Sequence, residues 1–244
     1  MSALCPNVPR ISASLQGITV QNQTAEVTWN ERGVPVSSRF DDPYFSLEDG
    51  LAETRHVFLA GNDLPGRFRD GFRIAELGFG SGLNFLTTAL AWTEAGIAGQ
   101  LSFTSFEAFP MTADDMESAA VAFPELVPMM QVLSARIRAG ETEITLDGSV
   151  SLSLVLEDAR TTVPDWPGRA DAWFLDGFSP AKNPELWTPE LMQAVADHTT
   201  PGGTFATYTA AGFVRRGLQQ AGFDVSRVAG YGRKRHMSRG ERRS

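Results

Sequence analysis

The sequence predicts an α/β protein: a mostly parallel sheet with helices on both faces, preceded by a β-rich N-terminal extension. Three observations carry this prediction. From residue 72 onward, short apolar runs alternate with amphipathic stretches, as in a parallel sheet covered on both sides. Gly78, Gly80 and Gly82 fall where the first of those runs must turn into a helix. The first 60 residues instead hold short β-prone runs separated by polar breakers.

In chain order, strands are expected at 18–20, 25–29 and 34–36, broken at 21–23 and 31–33. A polar and aromatic segment, Asp41 to Phe45, follows, and 51–59 fits a helix. The run 72–77 is the first strand of the main sheet, and Leu83, Phe85, Leu86 and Leu90 mark its helix. Residues 101–106 form the next strand, and 111–138 read as helical, divided by Pro124 and Pro128. Strands at 151–156, 172–175 and 204–208 complete five buried ones. A helix at 211–221 leads to a terminal strand pair at 224–229 and 234–237. We expect an extension over 1–66 packed on a catalytic domain over 67–244.

Composition narrows the function classes. The chain has 244 residues, 42% hydrophobic and 20% charged, which is an ordinary globular mixture. Its net charge of −8 excludes a globally basic nucleic-acid coat. The charge is uneven, because residues 211–244 carry nine Arg/Lys against two acids. Cys5 is the single cysteine and His56, His198 and His236 are scattered, so neither a disulfide framework nor a metal site is expected. The N-terminus lacks a basic start followed by an apolar run, and no stretch approaches the roughly 18 apolar residues of a membrane span. A cytoplasmic protein with no membrane partner is the expectation.

The glycine turn reads Glu76-Leu77-Gly78-Phe79-Gly80-Ser81-Gly82. Its alternate glycines differ from the G-x-G-x-x-G of a dinucleotide site. The segment resembles the loop of S-adenosylmethionine-dependent methyltransferases of the Rossmann-like class I, which implies a mostly parallel seven-stranded sheet. That cofactor has no phosphate but carries an amino-acid end and a sulfonium cation, so an acid at Glu76 suits it. A tight strand–helix turn alone would also need glycine. Glu107 ends the second strand, where a carboxylate can accept hydrogen bonds from two ribose hydroxyls. Asp158 ends the third, where it would meet an adenine amino group. Glu76, Glu107 and Asp158 all fall near the carboxyl ends of adjacent strands, where open α/β sheets bind ligands.

Asp176-Gly177-Phe178-Ser179-Pro180-Ala181-Lys182-Asn183-Pro184-Glu185-Leu186-Trp187 follows the fourth strand. Methyl transfer is an in-line displacement, so the protein chiefly positions the nucleophile. An amine with a pKa near 10.4, like that of lysine, cannot attack as ammonium. Asp176 can attract such an amine, orient it and take its proton directly or through water. Phe178 and Trp187 would wall the site or stack on a base, and Lys182 would meet a substrate phosphate or simply be solvated.

Together with 40–46, 50–55, 76–85, 171–187, 201–216 and 230–237, these motifs resemble the methyltransferase family of the tRNA 5-methylaminomethyl-2-thiouridine pathway. The resemblance covers nearly the whole chain, and the motif from Asp176 to Trp187 is its most specific part. It implies methylation of the aminomethyl group of 5-aminomethyl-2-thiouridine at wobble position 34, in the tRNA anticodon stem-loop, with Asp176 as the catalytic carboxylate. It also implies a cofactor set of Glu76, Gly78, Gly80, Gly82, Asn84, Glu107, Asp158 and Asp176. The segment holding Asp41 and Tyr44 would cover the pocket. In many members this domain is fused to a flavin-dependent oxidase. No second dinucleotide loop is visible here, so no flavin is expected: the chain reads either as a stand-alone methyltransferase, with a flavin-dependent oxidase as a separate partner, or as a cut piece of the fused protein. Arg215, Arg216, Arg233, Lys234 and Arg235 are the candidates for tRNA phosphate contacts. Two other functions fit the same residues: another amine or small-molecule methyltransferase (or an aminopropyltransferase) on this fold, and a non-catalytic tRNA-binding module.

Overall fold

The computed structural model describes residues 24–46 and 49–243. The expected strand at 18–20 and Cys5 lie outside the described residues. The extension begins as a three-stranded antiparallel sheet of β1 (Val27–Trp29), β2 (Pro35–Ser37) and β3 (Asp42–Pro43). Asn30 shapes the first hairpin, its side-chain oxygen accepting from the backbone N–H of Arg32 at 2.9 Å and of Val34 at 3.1 Å. Beyond β3 the chain turns helical. Asp49 caps α1 (Gly50–Thr54) by accepting from the Ala52 N–H, and the helix runs on through a π-helical turn, Arg55–Leu59, and a 3₁₀ turn, Ala60–Asn62.

These helical turns lie against the main sheet. The buried Asn62 side chain donates to Phe58 O at 2.9 Å and accepts from the Thr204 hydroxyl at 2.6 Å. At Gly61 a methyl group would come within 2.7 Å of the Ala206 side chain, so the backbone approach requires glycine.

The main sheet takes β4 (Phe72–Leu77), β5 (Leu101–Phe106), β6 (Glu143–Leu146), β7 (Val150–Val155), β8 (Ala170–Leu175), β9 (Thr199–Thr207), β10 (Phe223–Ala229) and β11 (His236–Arg242). Their order is β10-β11-β9-β8-β4-β5-β7-β6. The central pairs β9–β8, β8–β4, β4–β5 and β5–β7 are parallel, and the two edges are antiparallel. The helices are α2 (Leu83–Ala95), α3 (Ala113–Ala120), α4 (Val127–Arg138), α5 (Ala159–Asp165), α6 (Pro189–Asp197) and α7 (Gly212–Gln220). One face of the sheet packs Phe72, Ile74, Phe85, Phe103 and Phe174, and the other packs Leu77, Trp173, Leu175, Val195 and Val214. Fully burying a side chain such as Phe174 contributes roughly 2–3 kcal/mol. Strand β8 is buried from end to end, Asp171 included, because that carboxylate accepts from the Arg69 guanidinium at 3.1 Å and the Arg73 N–H at 2.9 Å.

Several expectations change in detail. The sheet has eight strands among the described residues, not seven, because β6 forms a hairpin with β7. Its signal was present: Ile144 and Leu146 alternate with exposed neighbours, and Asp147-Gly148 takes positive φ at both turn positions. Pro124 opens a 3₁₀ turn in the gap between α3 and α4, whereas Pro128 sits in the first turn of α4, where a missing N–H costs nothing. Helices α5 and α6 have no counterpart in the sequence reading. The last strand runs 236–242 instead of 234–237, since residues 230–235 form the turn between β10 and β11.

Candidate cofactor and active site

Going from β4, the chain winds one way through β5 and the other way through β8, so a crevice opens beyond the carboxyl ends of β4 and β8. A cavity of about 350 Å³ occupies it. The glycine turn forms one wall. Gly78 has φ +82°, and a Cβ there would lie 3.2 Å from the Cα of Gly177. Gly80 has φ +53° and receives the ring of Tyr44, whose Cδ1 would lie 3.2 Å from an added Cβ. Both positions combine left-handed backbone with close approach, which only glycine meets without strain.

Glu76 lies on β4 but is completely buried and does not line the cavity. Its Oε1 accepts from Asn84 Nδ2 at 2.8 Å and its Oε2 from the Ser105 hydroxyl at 2.6 Å. The same Asn84 nitrogen donates to Asp176 Oδ2 at 2.8 Å, while Asn84 Oδ1 accepts from the Thr54 hydroxyl at 3.0 Å. Burial pushes the Glu76 carboxyl well above the usual range. Burial likewise pushes Asp176 up to about 7, although Asn84, the Gly177 N–H and the Lys234 ammonium pull it down. Glu107 accepts from Gly80 N at 3.0 Å and Phe109 N at 2.7 Å, and burial raises its carboxyl despite these bonds. Asn84, Glu107 and Asp176 all line the cavity.

The loop after β8 and the extension close over this site together. Phe40 stacks on Phe178 with centroids 4.7 Å apart, and Tyr44 meets Phe178 edge-on at 5.1 Å. Asp42 accepts from the Ser179 N–H at 2.8 Å. The Tyr44 phenol is pushed up to about 12, first by burial and then by the nearby Glu107 charge. Asp41 itself is exposed, with φ +48°, and is held by Lys182, whose ammonium donates to its carbonyl.

Three of the expected site residues, Trp187, Lys182 and Asp158, lie outside the cavity lining. Trp187 is 2% exposed, and its indole N–H donates to Phe178 O at 3.1 Å, so it clasps the loop from within and presents no face to a base. Lys182 is engaged with Asp41 and Asp42 outside the cavity lining. Asp158 caps α5 by accepting from the Arg160 N–H at 2.9 Å and pairs with the Arg160 guanidinium at 2.6 Å, which holds its carboxyl below the usual range. It too is absent from the lining.

Sequence reasoning assigns no role to Glu53, Thr54, Tyr208 or Tyr231, yet all four line the cavity. Lys234 pairs with Glu53 at 2.9 Å and lies 4.1 Å over the Tyr208 ring, whose hydroxyl donates to Gly177 O at 2.9 Å. The available signal was that 50–55 and 201–216 stand among the family-like stretches. Arg233 also reaches the lining, beside Arg32 from the first hairpin. Arg235 is exposed on the same turn, whereas Arg215 and Arg216 lie near the start of α7, away from the lining. The described residues hold no group of three or more His, Cys, Asp or Glu suited to a metal, and no helix among them is long and apolar enough to cross a membrane.

A doubly wound sheet, a glycine turn at its switch point and carboxylates at the strand ends define the Rossmann-like methyltransferase class. Residues 124–243 match the family described as S-adenosyl-L-methionine-dependent methyltransferase. The chain is 47% identical over 234 residues to the tRNA 5-methylaminomethyl-2-thiouridine biosynthesis bifunctional protein MnmC of Aeromonas salmonicida, and 46% identical to that of Aeromonas hydrophila. Each match covers 89% of this chain and 35% of the relative, so the chain spans about a third of their length. The crystal structure of MNMC2 from Aquifex aeolicus is similar with a TM-score of 0.72 and 25% identity, covering 89% of this chain and 70% of that one. The chain thus has the fold of the S-adenosyl-L-methionine-dependent methyltransferases and is similar over 89% of its length to relatives named for tRNA 5-methylaminomethyl-2-thiouridine biosynthesis.

Proposed function

We propose that this protein transfers a methyl group from S-adenosylmethionine to the aminomethyl nitrogen of 5-aminomethyl-2-thiouridine at wobble position 34 of tRNA. The observation that carries the reading is Asp176, a carboxylate lining the crevice beside the glycine turn with its pKa pushed up to about 7. A carboxyl poised near neutrality can hold an ammonium group and also accept its proton. The names of the relatives supply the substrate class.

The residues fit the cofactor. The Gly78–Gly80 turn leaves room for close approach of a ligand to backbone, and Glu107 is an acceptor suited to ribose hydroxyls. When bound, S-adenosylmethionine supplies an electrophilic methyl group on a sulfonium. Asp176 orients the amine and takes the proton that nitrogen releases as it gains the methyl carbon and the carbon–sulfur bond breaks. Phe178 and Tyr208 wall the site against water. Arg233, Arg235 and Lys234, with Arg215 and Arg216 further out, would meet phosphates. The extension over 1–66 would serve as a cover for the catalytic domain over 67–244. The same reading sets the reaction in the cytoplasm, and the methyl transfer itself calls for neither flavin nor metal.

The test is transfer of radiolabelled methyl into tRNA from a strain lacking this activity, followed by nucleoside analysis. Label is expected in 5-methylaminomethyl-2-thiouridine. The Asp176→Ala variant should bind cofactor but transfer nothing. Label in no wobble nucleoside, or unchanged turnover in the variant, would overturn the reading. A binding titration with decarboxylated cofactor separates an aminopropyltransferase.

A further inference from the structure

We propose that Glu76 and Thr54 are positioning residues that act through Asn84 on Asp176, and that Glu76 makes no contact with the cofactor. The inference rests on the reading of Asp176 as the reactive carboxylate. The acid that opens the glycine motif is expected from sequence to face the cofactor. Here it has no exposed surface, and its two oxygens are taken by Asn84 and Ser105. The residue between Glu76 and the cavity is Asn84.

A carboxamide has two N–H donors and one carbonyl acceptor. In Asn84 all three are used: the nitrogen serves Glu76 Oε1 and Asp176 Oδ2, both at 2.8 Å, and the oxygen accepts from Thr54 at 3.0 Å. The arrangement fixes the amide's orientation. A flipped Asn84 would turn its oxygen toward two carboxyl groups and its N–H groups toward a single hydroxyl. Glu76 and Thr54 therefore hold a donor against Oδ2 of Asp176, which keeps that oxygen an acceptor. The four residues come from four elements: α1, β4, α2 and the end of β8. Asp176 also feels Lys234 from the β10–β11 turn, Glu53 on α1 and Tyr208 after β9, with Glu107 beyond Glu76 and Asp42 near Tyr208. None of these is altered by changes at Asn84 or Thr54.

The test reads the Asp176 carboxyl directly, by carbon-13 NMR titration of unliganded protein labelled at aspartate, with the signal assigned by its loss in Asp176→Asn. Asn84→Leu removes the donor and should raise the Asp176 midpoint by about one pH unit or more. Thr54→Val should raise it in the same direction by less, and Thr54→Ser should restore it. Glu76→Gln keeps an oxygen for Asn84 and should leave the midpoint within about half a unit, whereas Glu76→Ala should move it as Asn84→Leu does. Binding of S-adenosylhomocysteine, by calorimetry, should stay within about threefold in Thr54→Val and Glu76→Gln. If Asn84→Leu fails to fold, the Thr54 pair decides. An unmoved midpoint in Thr54→Val, or a tenfold loss of ligand affinity in Glu76→Gln with the midpoint unmoved, would overturn the proposal. Because the titration needs no substrate, midpoints that move as stated in a protein that methylates no tRNA would uphold the network and sink only the functional reading.

Discussion

The Asp176 carboxyl makes a prediction that does not depend on substrate identity. Its midpoint lies at about 7 instead of the ordinary 3.8, chiefly because burial disfavours the charged form. Between those two values the folded protein keeps a proton that the unfolded chain has lost. This stabilisation is fully present below about pH 4 and is lost as pH rises through about 7. The interval of roughly 3 pH units, at about 1.36 kcal/mol each, corresponds to about 4 kcal/mol. The carboxyl borders the cleft, so solvent screening reduces this to about 2–4 kcal/mol. Asp176→Asn has no proton to lose. Urea denaturation at pH 4.5 should find the variant and the wild type within about 1 kcal/mol of each other, and at pH 8.5 the variant should be the more stable by about 2–4 kcal/mol. Glu76 and Glu107 also titrate abnormally, but they are common to both proteins. A stability difference that stays constant across this range, or one that favours the wild type as pH rises, would refute the placement of a desolvated carboxylate at this position.

Gly78→Ala should cost roughly 1–3 kcal/mol in thermal unfolding and weaken cofactor binding, since φ +82° and the 3.2 Å approach to Gly177 both oppose a side chain. Trp187→Ala should cost about 3–5 kcal/mol by denaturation while leaving the salt dependence of tRNA binding unchanged, because the indole is buried. Arg233→Gln combined with Arg235→Gln should weaken tRNA binding and lower its log–log salt slope by about 1–2, with cofactor affinity unaltered in calorimetry.

What the sequence made legible was what is written in consecutive positions. The glycine turn needs its left-handed residues next to each other, and the loop from Asp176 to Trp187 carries its own prolines, so both announce themselves. Thr54 and Asn84 lie 30 residues apart, and Asn84 and Asp176 lie 92 apart; only the winding of the sheet brings them within one hydrogen-bonded cluster. Asp158 shows the opposite problem. A strand-end acid looks the same in sequence whether it faces a ligand or is captured by a neighbour, and here Arg160, two residues on, captures it. Trp187 packs on the core side of its loop, a placement the sequence does not show, because an aromatic in a proline-rich loop can wall a site or pin the loop to the core. Its indole N–H bonded to Phe178 O decides for the core.

The uneven charge gains a physical explanation at the crevice. Five acids gather there: Asp42, Glu53, Glu76, Glu107 and Asp176. Of these, Glu76, Glu107 and Asp176 are satisfied mainly by neutral donors, namely Asn84, Ser105 and the N–H groups of Gly80 and Phe109. Neutral donors meet the hydrogen-bonding needs of a carboxyl without fixing it in the charged form, as an arginine would. The crevice thus holds carboxyls that ionise when a cation comes beside them, and under the proposed function both a sulfonium and an ammonium must enter it. Cations line the same cavity: Lys234 pairs with Glu53, and Arg32 and Arg233 come to it from the first hairpin and the β10–β11 turn. Under the proposed function, acids and bases in one crevice suit a substrate that presents an amine on a chain of phosphates.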